Sequence, residues 1–146
     1  MSDDVQAIVN LIHSYAELLD TGDLEGAGRL FDRATLRTHG RPEVLQGAKA
    51  VQQMLETAVH LYDGIPSTKH LITNVSVEVD ADRRTARARS YYTALQGRPE
   101  LPLQPILSGR WHDRFERDGD RWRFADRLIY ADLFGDLRFH IKGLPH

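Results

Sequence analysis

Histidine and carboxylate side chains are the groups of this sequence best suited to chemistry. The chain contains seven histidines and no cysteine. An imidazole ordinarily has a pKa of about 6.5, so it can accept or donate a proton near neutral pH. The lack of cysteine excludes disulfides, thiolate metal sites and thiol nucleophiles. No pair of histidines shows metal-ligand spacing, and we therefore predict no bound metal.

Two of these residues lie where structural elements should end or begin. Asp20 is followed by Thr21 and Gly22, which is ordinary helix-end chemistry. His70 lies at the start of a run in which apolar and polar residues alternate, as in a strand. Considered separately, each residue fits a structural role better than a catalytic one.

Aromatic and charged residues of the later strands are candidates for a binding site. Tyr92 is in register with small residues on one strand face, and Gly109 on the next strand would leave further room for a ligand. If Trp111 faces a pocket, Asp113 faces it too and His112 faces away, because strand side chains alternate. Asp113 could then be a second acid or the partner of an arginine, and its alternative role is a cross-strand ion pair.

The apolar periodicity divides the chain into helices followed by strands. Helices are predicted over Val5–Asp20, Asp23–Phe31 and from after Gly47 to Tyr62. Strands are predicted over Ala34–Thr38, His70–Val79, Thr85–Gln96, Ile106–Arg117 and Arg121–Leu133. The intervening segment Gly97–Pro105 contains three prolines and is predicted to be a longer loop.

Helices followed by long antiparallel strands predict an α+β fold. Long strands coil, and a coiled sheet covered by helices on one face leaves a cavity. We therefore predict a single domain over residues 1–146. It would be a cone-shaped, barrel-like fold in which N-terminal helices pack on a strongly curved antiparallel sheet that encloses a pocket.

The charge balance and hydropathy limit the partners. The formal net charge is −2, from 19 basic and 21 acidic residues, which does not favour nucleic-acid binding. No apolar run approaches the roughly 20 residues that span a bilayer. The acidic N-terminus does not resemble a signal peptide. We expect a cytoplasmic protein without membrane or nucleic-acid partners.

Two segments resemble the SnoaL-like, nuclear-transport-factor-like superfamily. Residues Gly109–Arg127 resemble its terminal hairpin, in which a "Y-x-D-x-Φ-x-R-x-D-G-x-W" run is typical. Residues Tyr15–Phe31 resemble its opening, "Y…D-x-x-D…LF". The order of elements agrees over almost the whole chain. The resemblance implies a fold with one pocket, but it leaves the reaction open because the superfamily contains enzymes and non-enzymes.

Some members of this superfamily, such as scytalone dehydratase and hexachlorocyclohexane dehydrochlorinase, use an aspartate–histidine dyad. Their aspartate ends the first helix, and their histidine begins the strand after the third helix in a "T-x-H" context. Asp20 and His70 match these positions. The resemblance implies that His70 is a general base which Asp20 orients and charge-balances. Leu19 and Leu95 replace polar groups of scytalone dehydratase, so a different substrate is expected.

The resemblance therefore predicts a small-molecule lyase or isomerase, dehydratase- or cyclase-like, that needs no cofactor. Its substrate would be a small, largely apolar cyclic molecule. Tyr15 or Tyr92 would stabilise oxyanion charge, Trp111 would line the pocket, and Arg127 is a substrate-binding candidate by location.

The alternative is a non-catalytic ligand-binding or accessory subunit, such as the small subunit of a ring-hydroxylating dioxygenase. A hydrogen bond between Asp20 and His70 would favour the enzyme, and an Asp20 that points to solvent would favour the alternative.

Self-association is also expected. Apolar residues occur at both odd and even positions of the last strands, with Phe124 and Leu128 set against Ile129 and Leu133. This pattern is typical of a sheet buried on two sides. Members of the superfamily associate through the outer face of the sheet, so we predict a homodimer or homotrimer.

Overall fold

The computed structural model describes residues 3–144, which form three helices and six strands. The helices are α1 (Asp3–Asp20), α2 (Leu24–Arg29) and α3 (Ala48–Ala58). The strands are β1 (Thr35–Thr38), β2 (Val44–Gln46), β3 (Thr68–Val79), β4 (Thr85–Arg98), β5 (Leu101–Asp118) and β6 (Arg121–Phe134). The predicted α+β class is confirmed. None of the helices within residues 3–144 is long and apolar enough to cross a membrane.

Helix ends follow the local chemistry of the sequence. The carboxylate of Asp23 caps α2 by accepting a hydrogen bond of 2.8 Å from the backbone N–H of Gly26. Helix α3 begins directly after Gly47, as predicted. It ends at Ala58 rather than Tyr62, because Val59 is extended and pairs with Ile141 near the C-terminus.

The predicted packing of helices on a curved sheet is confirmed, but the sheet, which is not closed, is mixed where the sequence predicted an antiparallel one. Its strand order is β2-β1-β6-β5-β4-β3. Strands β3 to β6 are antiparallel neighbours, but β1 runs parallel to β6. A parallel pair needs a long connection, and the chain from β1 to β6 includes α3 and three long strands. The short strand β2 was not predicted.

The predicted loop Gly97–Pro105 is a second error. Strands β4 and β5 continue through this region and are joined by a turn at Pro99 and Glu100. Strand β6 ends at Phe134, which pairs with Leu107, so the start of β5 lacks this neighbour. Proline is tolerated there because its missing N–H interrupts no ladder on a free edge.

A bulge in β3 changes which residues face the helices. Thr73 pairs with Tyr91 and Ser76 with Arg89, so three steps along β3 match two along β4. Asn74 takes a left-handed conformation with φ of 54°. As a result His70 lies on the same face as the valines at 75, 77 and 79, although strict alternation placed them on opposite faces.

A second bulge, in β6, changes the prediction about the faces of the sheet. Phe124 pairs with Phe115 and Asp126 with Arg114, which leaves Ala125 as an extra residue. Phe124 is therefore buried on the same face that presents Ile129 to the pocket. Phe124 and Ile129 thus share one face although one number is even and the other odd, so this pattern no longer supports a sheet covered on both faces. The homo-oligomer stays a prediction.

The core lies between the helices and the inner face of the sheet. Its largest fully buried apolar side chains are Phe31, Phe115, Phe124, Ile8, Ile12 and Leu36. The rings of Phe31 and Phe124 stack with centroids 4.8 Å apart. The same cluster extends to Tyr15, Tyr92 and Trp111. The core is thus continuous with the aromatic wall of the cavity described next.

Candidate active site

Asp20 is the last residue of α1, at a sharply closed helix end. The N–H of Asp23 donates to the carbonyl of Leu18 (2.9 Å), and that of Gly22 donates to Leu19 (3.0 Å). Gly22 has a φ of +80°, which this type of ending requires. A carboxylate near a helix C-terminus meets the negative end of the dipole. Asp20 therefore does not serve to stabilise its own helix.

The Asp20 carboxylate instead contacts the start of β3. Its Oδ1 lies 2.6 Å from Nδ1 of His70 and accepts a 2.8 Å hydrogen bond from the hydroxyl of Thr68. Its Oδ2 accepts a 2.8 Å hydrogen bond from the backbone N–H of His70. The two side chains are 10% and 9% exposed. The structure thus brings together the two residues that the resemblance singled out.

These contacts determine the protonation of the pair. Burial raises the pKa of the Asp20 carboxyl, but the hydrogen bonds and charge of His70, with the Thr68 hydroxyl, outweigh burial and lower that pKa below its ordinary value. The ionised carboxylate can only accept hydrogen bonds. The proton between the two groups therefore lies on Nδ1 of His70, and in the neutral tautomer of this ring the lone pair is on Nε2, on the opposite side.

The ring of His70 lines a cavity of about 180 Å³ with a mainly apolar wall. The wall combines side chains of α1, α3, β4, β5 and the C-terminal segment, among them Tyr15, Met54, Tyr92, Leu107, Trp111 and Ile141. A cavity of roughly 150 Å³ holds a benzene molecule. The pocket therefore has the size of a single ring with a few substituent atoms.

The tyrosines of the wall have different surroundings. The Tyr92 hydroxyl donates a 2.9 Å hydrogen bond to the carbonyl of Tyr130, and burial raises its pKa to about 12. A Cβ added at Gly109 would lie 1.9 Å from that carbonyl and 2.7 Å from the Tyr92 hydroxyl. Gly109 therefore makes room for Tyr92 and not for a ligand. Burial also raises the pKa of Tyr15, whose ring meets that of Trp111 edge-on.

Asp113 and Arg127 form a fully buried ion pair beneath the pocket. Nε and Nη2 of Arg127 donate to the two carboxylate oxygens of Asp113 at 2.7 and 2.9 Å. Neither residue lines the cavity. The guanidinium lies 3.8 Å from the ring centroid of Trp111 and supports that wall residue from behind. Asp113 is thus the partner of an arginine in a cross-strand ion pair and not a second acid at the pocket wall, and Arg127 is not a wall residue.

His140, in the segment after β6, is a wall residue that no sequence pattern indicated. Its ring lines the cavity, and the residue is 7% exposed. Its Nδ1 is buried and has no hydrogen-bond partner within residues 3–144. Burial, with the nearby charge of His70, lowers its pKa to about 4. No local pattern marked His140, because only pairing with distant residues brings it to the pocket.

Thr68 is a further polar group whose role was not predicted, although it stands in the "T-x-H" context. It is 5% exposed, and its hydroxyl donates its hydrogen bond to Asp20.

Across the described range, no group of three or more histidine, aspartate or glutamate side chains is arranged to hold a metal ion.

Comparison with known proteins shows the family. The model of the SnoaL-like domain matches residues 1–128, so the chain belongs to the SnoaL-like family. No curated protein matches the chain.

Solved structures share the fold at low sequence identity. A candidate scytalone dehydratase from Novosphingobium aromaticivorans is 22% identical, with a TM-score of 0.72 over 93% of this chain and 91% of that one. ActVI-ORFA from Streptomyces coelicolor is 15% identical, with a TM-score of 0.71 over 88% and 96%. The β subunit of a candidate aromatic-ring-hydroxylating dioxygenase from N. aromaticivorans is 21% identical, with a TM-score of 0.69 over 92% and 94%. At these identities the likeness concerns the fold alone.

Proposed function

We propose that this protein is a cofactor-independent lyase or isomerase in which His70 removes a proton from a small cyclic substrate. The observation that carries the proposal is the 2.6 Å contact between Oδ1 of Asp20 and Nδ1 of His70 at the wall of an apolar pocket. A carboxylate in this position holds the imidazole in one tautomer and stabilises the imidazolium that forms.

The chemistry follows from the lone pair on Nε2 of His70. This atom takes a proton from a carbon next to a carbonyl group, and the electron pair moves to the carbonyl oxygen as an enolate. If the neighbouring carbon carries a hydroxyl, the enolate expels it, and the proton on His70 leaves with it as water. If the substrate instead has a double bond between its β- and γ-carbons, the enolate is a dienolate, the proton returns at the γ-carbon, and the double bond moves into conjugation with the carbonyl. Both reactions are redox-neutral and need only acid–base groups.

The cavity volume narrows the substrate class. At about 180 Å³ the space suits one ring, such as a cyclohexanone or a cyclohexenone, rather than a fused polycyclic skeleton. The apolar wall would exclude water from the enolate and so strengthen its interactions with the nearby polar groups.

The alternative, a binding or accessory subunit without catalysis, predicts that Asp20 points to solvent. Instead both side chains of the dyad are about nine-tenths buried. Burying a carboxylate costs free energy unless it is paired and hydrogen-bonded. A container for an apolar ligand has no need of this pair, so the geometry favours the enzyme.

Dehydration of 3-hydroxycyclohexanone to 2-cyclohexenone tests the proposal, with the ultraviolet absorbance of the enone as the readout. His70→Ala should lower the rate by about 10²–10⁴-fold, the usual contribution of a general base. Asp20→Asn should also lower it, because the amide does not balance the imidazolium charge.

The matched control for this test is His112→Ala, which removes an imidazole whose side chain faces away from the pocket and contacts the ring of Tyr130. It should leave the rate unchanged. Circular dichroism should show that each variant is folded. The proposal is wrong if His70→Ala keeps the wild-type rate. It is also wrong if the wild-type protein accelerates neither this dehydration nor deuterium exchange at the α-carbon of cyclohexanone.

A further inference from the structure

We propose that His140 binds the carbonyl oxygen of the substrate and holds it beside His70. The inference rests on the proposed function, since it assigns the group that receives the enolate oxygen when His70 takes the proton. The ligand class is a small cyclic ketone, whose oxygen would be the hydrogen-bond partner that the His140 ring lacks.

The C-terminal segment that carries His140 is fastened to the helical side of the pocket. The carbonyl of His140 accepts a 2.9 Å hydrogen bond from the backbone N–H of His60, and the N–H of Lys142 donates to Ala58 at 2.8 Å. Ile141, between them, pairs with Val59. Backbone contacts at His140 and at the two residues after it therefore hold this residue at the wall of the cavity.

Gln96 holds the segment from the sheet. This residue is fully buried, and its Nε2 donates 3.0 Å hydrogen bonds to the carbonyls of Phe139 and Pro66. The residue that precedes His140 is thus tied to β4, and the amide that ties it cannot also donate to a ligand. Fixed positioning of this kind is what an oxygen-binding group needs, because it must meet the ligand without reorganisation.

Two other polar groups of the wall are engaged elsewhere. The Thr68 hydroxyl donates to Asp20, and the Tyr92 hydroxyl donates to the carbonyl of Tyr130. Nδ1 of His140 is buried without a partner among the residues described. A buried nitrogen that stays unpaired costs free energy, because it has given up its hydrogen bonds to water. A ligand oxygen would remove this cost.

The charge state of His140 suits this role. Burial and the charges of His70 and His60 lower its pKa to about 4, while Asp20 opposes the shift. The ring is therefore neutral at pH 7 and presents one N–H and one lone pair. A neutral imidazole can polarise a carbonyl and stabilise the enolate by hydrogen bonding, which needs no proton transfer to the oxygen.

A matched pair of ligands tests this assignment without turnover. Cyclohexanone and methylenecyclohexane have nearly the same shape, but only the ketone offers an oxygen. Dissociation constants for both are measured by NMR titration in the wild type and in His140→Leu. The ratio of the two constants should shift against the ketone by about tenfold in the variant, the value of one hydrogen bond.

Three further variants make the result specific. Ile141→Ala removes apolar wall from the same segment and should weaken both ligands while leaving the ratio unchanged. His140→Gln keeps a hydrogen-bond donor and should retain most of the preference for the ketone over methylenecyclohexane. This variant also keeps the test usable if His140→Leu does not fold. His70→Ala should keep the ratio, so that failure of this assignment and failure of the general-base proposal are distinguishable.

An unchanged ratio in His140→Leu overturns the assignment. If that variant does not fold, a ratio in His140→Gln that shifts as far as the full loss of one hydrogen bond also overturns it. A ratio that shifts in Tyr15→Phe and not in the His140 variants assigns the oxygen to the Tyr15 hydroxyl instead.

Discussion

The buried polar residues of this chain differ in whether their hydrogen bonds are complete. The Asp20 carboxylate accepts three hydrogen bonds, and Asp113 receives two from Arg127. Nδ1 of His140, by contrast, has no partner in the part of the chain that the structure describes, and the same holds for Nη1 of Arg127 outside the pocket. Complete pairing is typical of groups that maintain structure, and an unpaired group in a pocket is a functional candidate.

The depressed pKa of His140 makes a prediction about stability. In the unfolded chain its imidazole takes up a proton below pH of about 6.5, but in the folded chain it does so only near 4. The unfolded state therefore binds more protons between these values, and the folded state loses stability as the pH falls from about 6.5 to 4. The loss attributable to this residue is on the order of 3 kcal/mol.

Urea unfolding at pH 7 and pH 4.5 checks this prediction. His140→Leu should lose less stability than the wild type over that range, because it has no imidazole to protonate. The same substitution at His112, on the outer face of the sheet, is the matched control. If the wild type and His140→Leu lose equal stability, the burial of a neutral His140 is contradicted.

Among single residues, the sequence indicated part of the candidate site. Asp20 and His70 were singled out because each occupies a local motif, a helix end or a strand start, that matches the position of a dyad residue in a known family, and the structure places them in contact. Asp113 was assigned to the pocket by alternation and Arg127 by its location, and both lie beneath the pocket, because neither signal predicts the depth at which a side chain ends. His140 was missed because its position depends on contacts with residues far along the chain.

Two local backbone irregularities make the site possible at the scale of elements. The closed end of α1 directs Asp20 toward β3, and the bulge at Asn74 keeps the valines of β3 on the same face as His70. The helix end was predictable, because glycine after Asp-Thr is a known signal. The bulge was not, because one extra residue in a strand leaves no compositional mark in an alternating sequence.

Gly22→Ala should destabilise the fold and displace Asp20. An added Cβ would lie 1.8 Å from the carbonyl oxygen of Gly64, and the φ of +80° would strain it as well. We expect a loss of about 2 kcal/mol in the free energy of unfolding and a slower His70-dependent dehydration.

Gly40→Ala is the matched control for this element, since Gly40 has a φ of +83° but would place its Cβ in open space. Urea unfolding of both variants separates steric contact from backbone strain. Equal losses in the two variants would show that the contact with Gly64 does not hold the helix end.

For the whole molecule, the order of helices and strands was predictable from the sequence, and the pairing of β1 with β6 was not. The change from a helical to an alternating period separates helices from long strands, so the α+β class follows from the sequence. The parallel pairing of β1 with β6 joins segments about ninety residues apart, Thr35 with Asp126 for example, and neither segment encodes its partner. The sheet is therefore mixed where the sequence predicted an antiparallel one.

The outer face of the sheet is where we expect self-association. Leu71, Thr93, Ser108 and Leu133 follow one another across four strands in a single row. The two leucines at its ends are 47% and 69% exposed, and Tyr91 in the adjacent row is 49% exposed. Exposed apolar side chains grouped on one face mark interaction surfaces. A two-fold interface through this face would cover them.

Light scattering at micromolar concentration should give a multiple of the 16.6 kDa chain mass. Leu133→Asp should reduce the mass to that of one chain, because it places a charge in the row. Leu103→Asp is the control, since Leu103 is 74% exposed near the β4–β5 turn. A single-chain mass for the wild type, or a Leu133→Asp variant that still associates, would contradict this surface.

The bulge at Asn74 has a consequence for aggregation. Strand β3 is an edge of the sheet, and a long regular edge invites the backbone of another molecule to add a strand. The irregularity divides the ladder of β3 into residues 68–73 and 76–79. An incoming strand could match only one of these short pieces in register. The bulge that places the valines of β3 on the same face as His70 therefore also protects this edge strand from uncontrolled polymerisation.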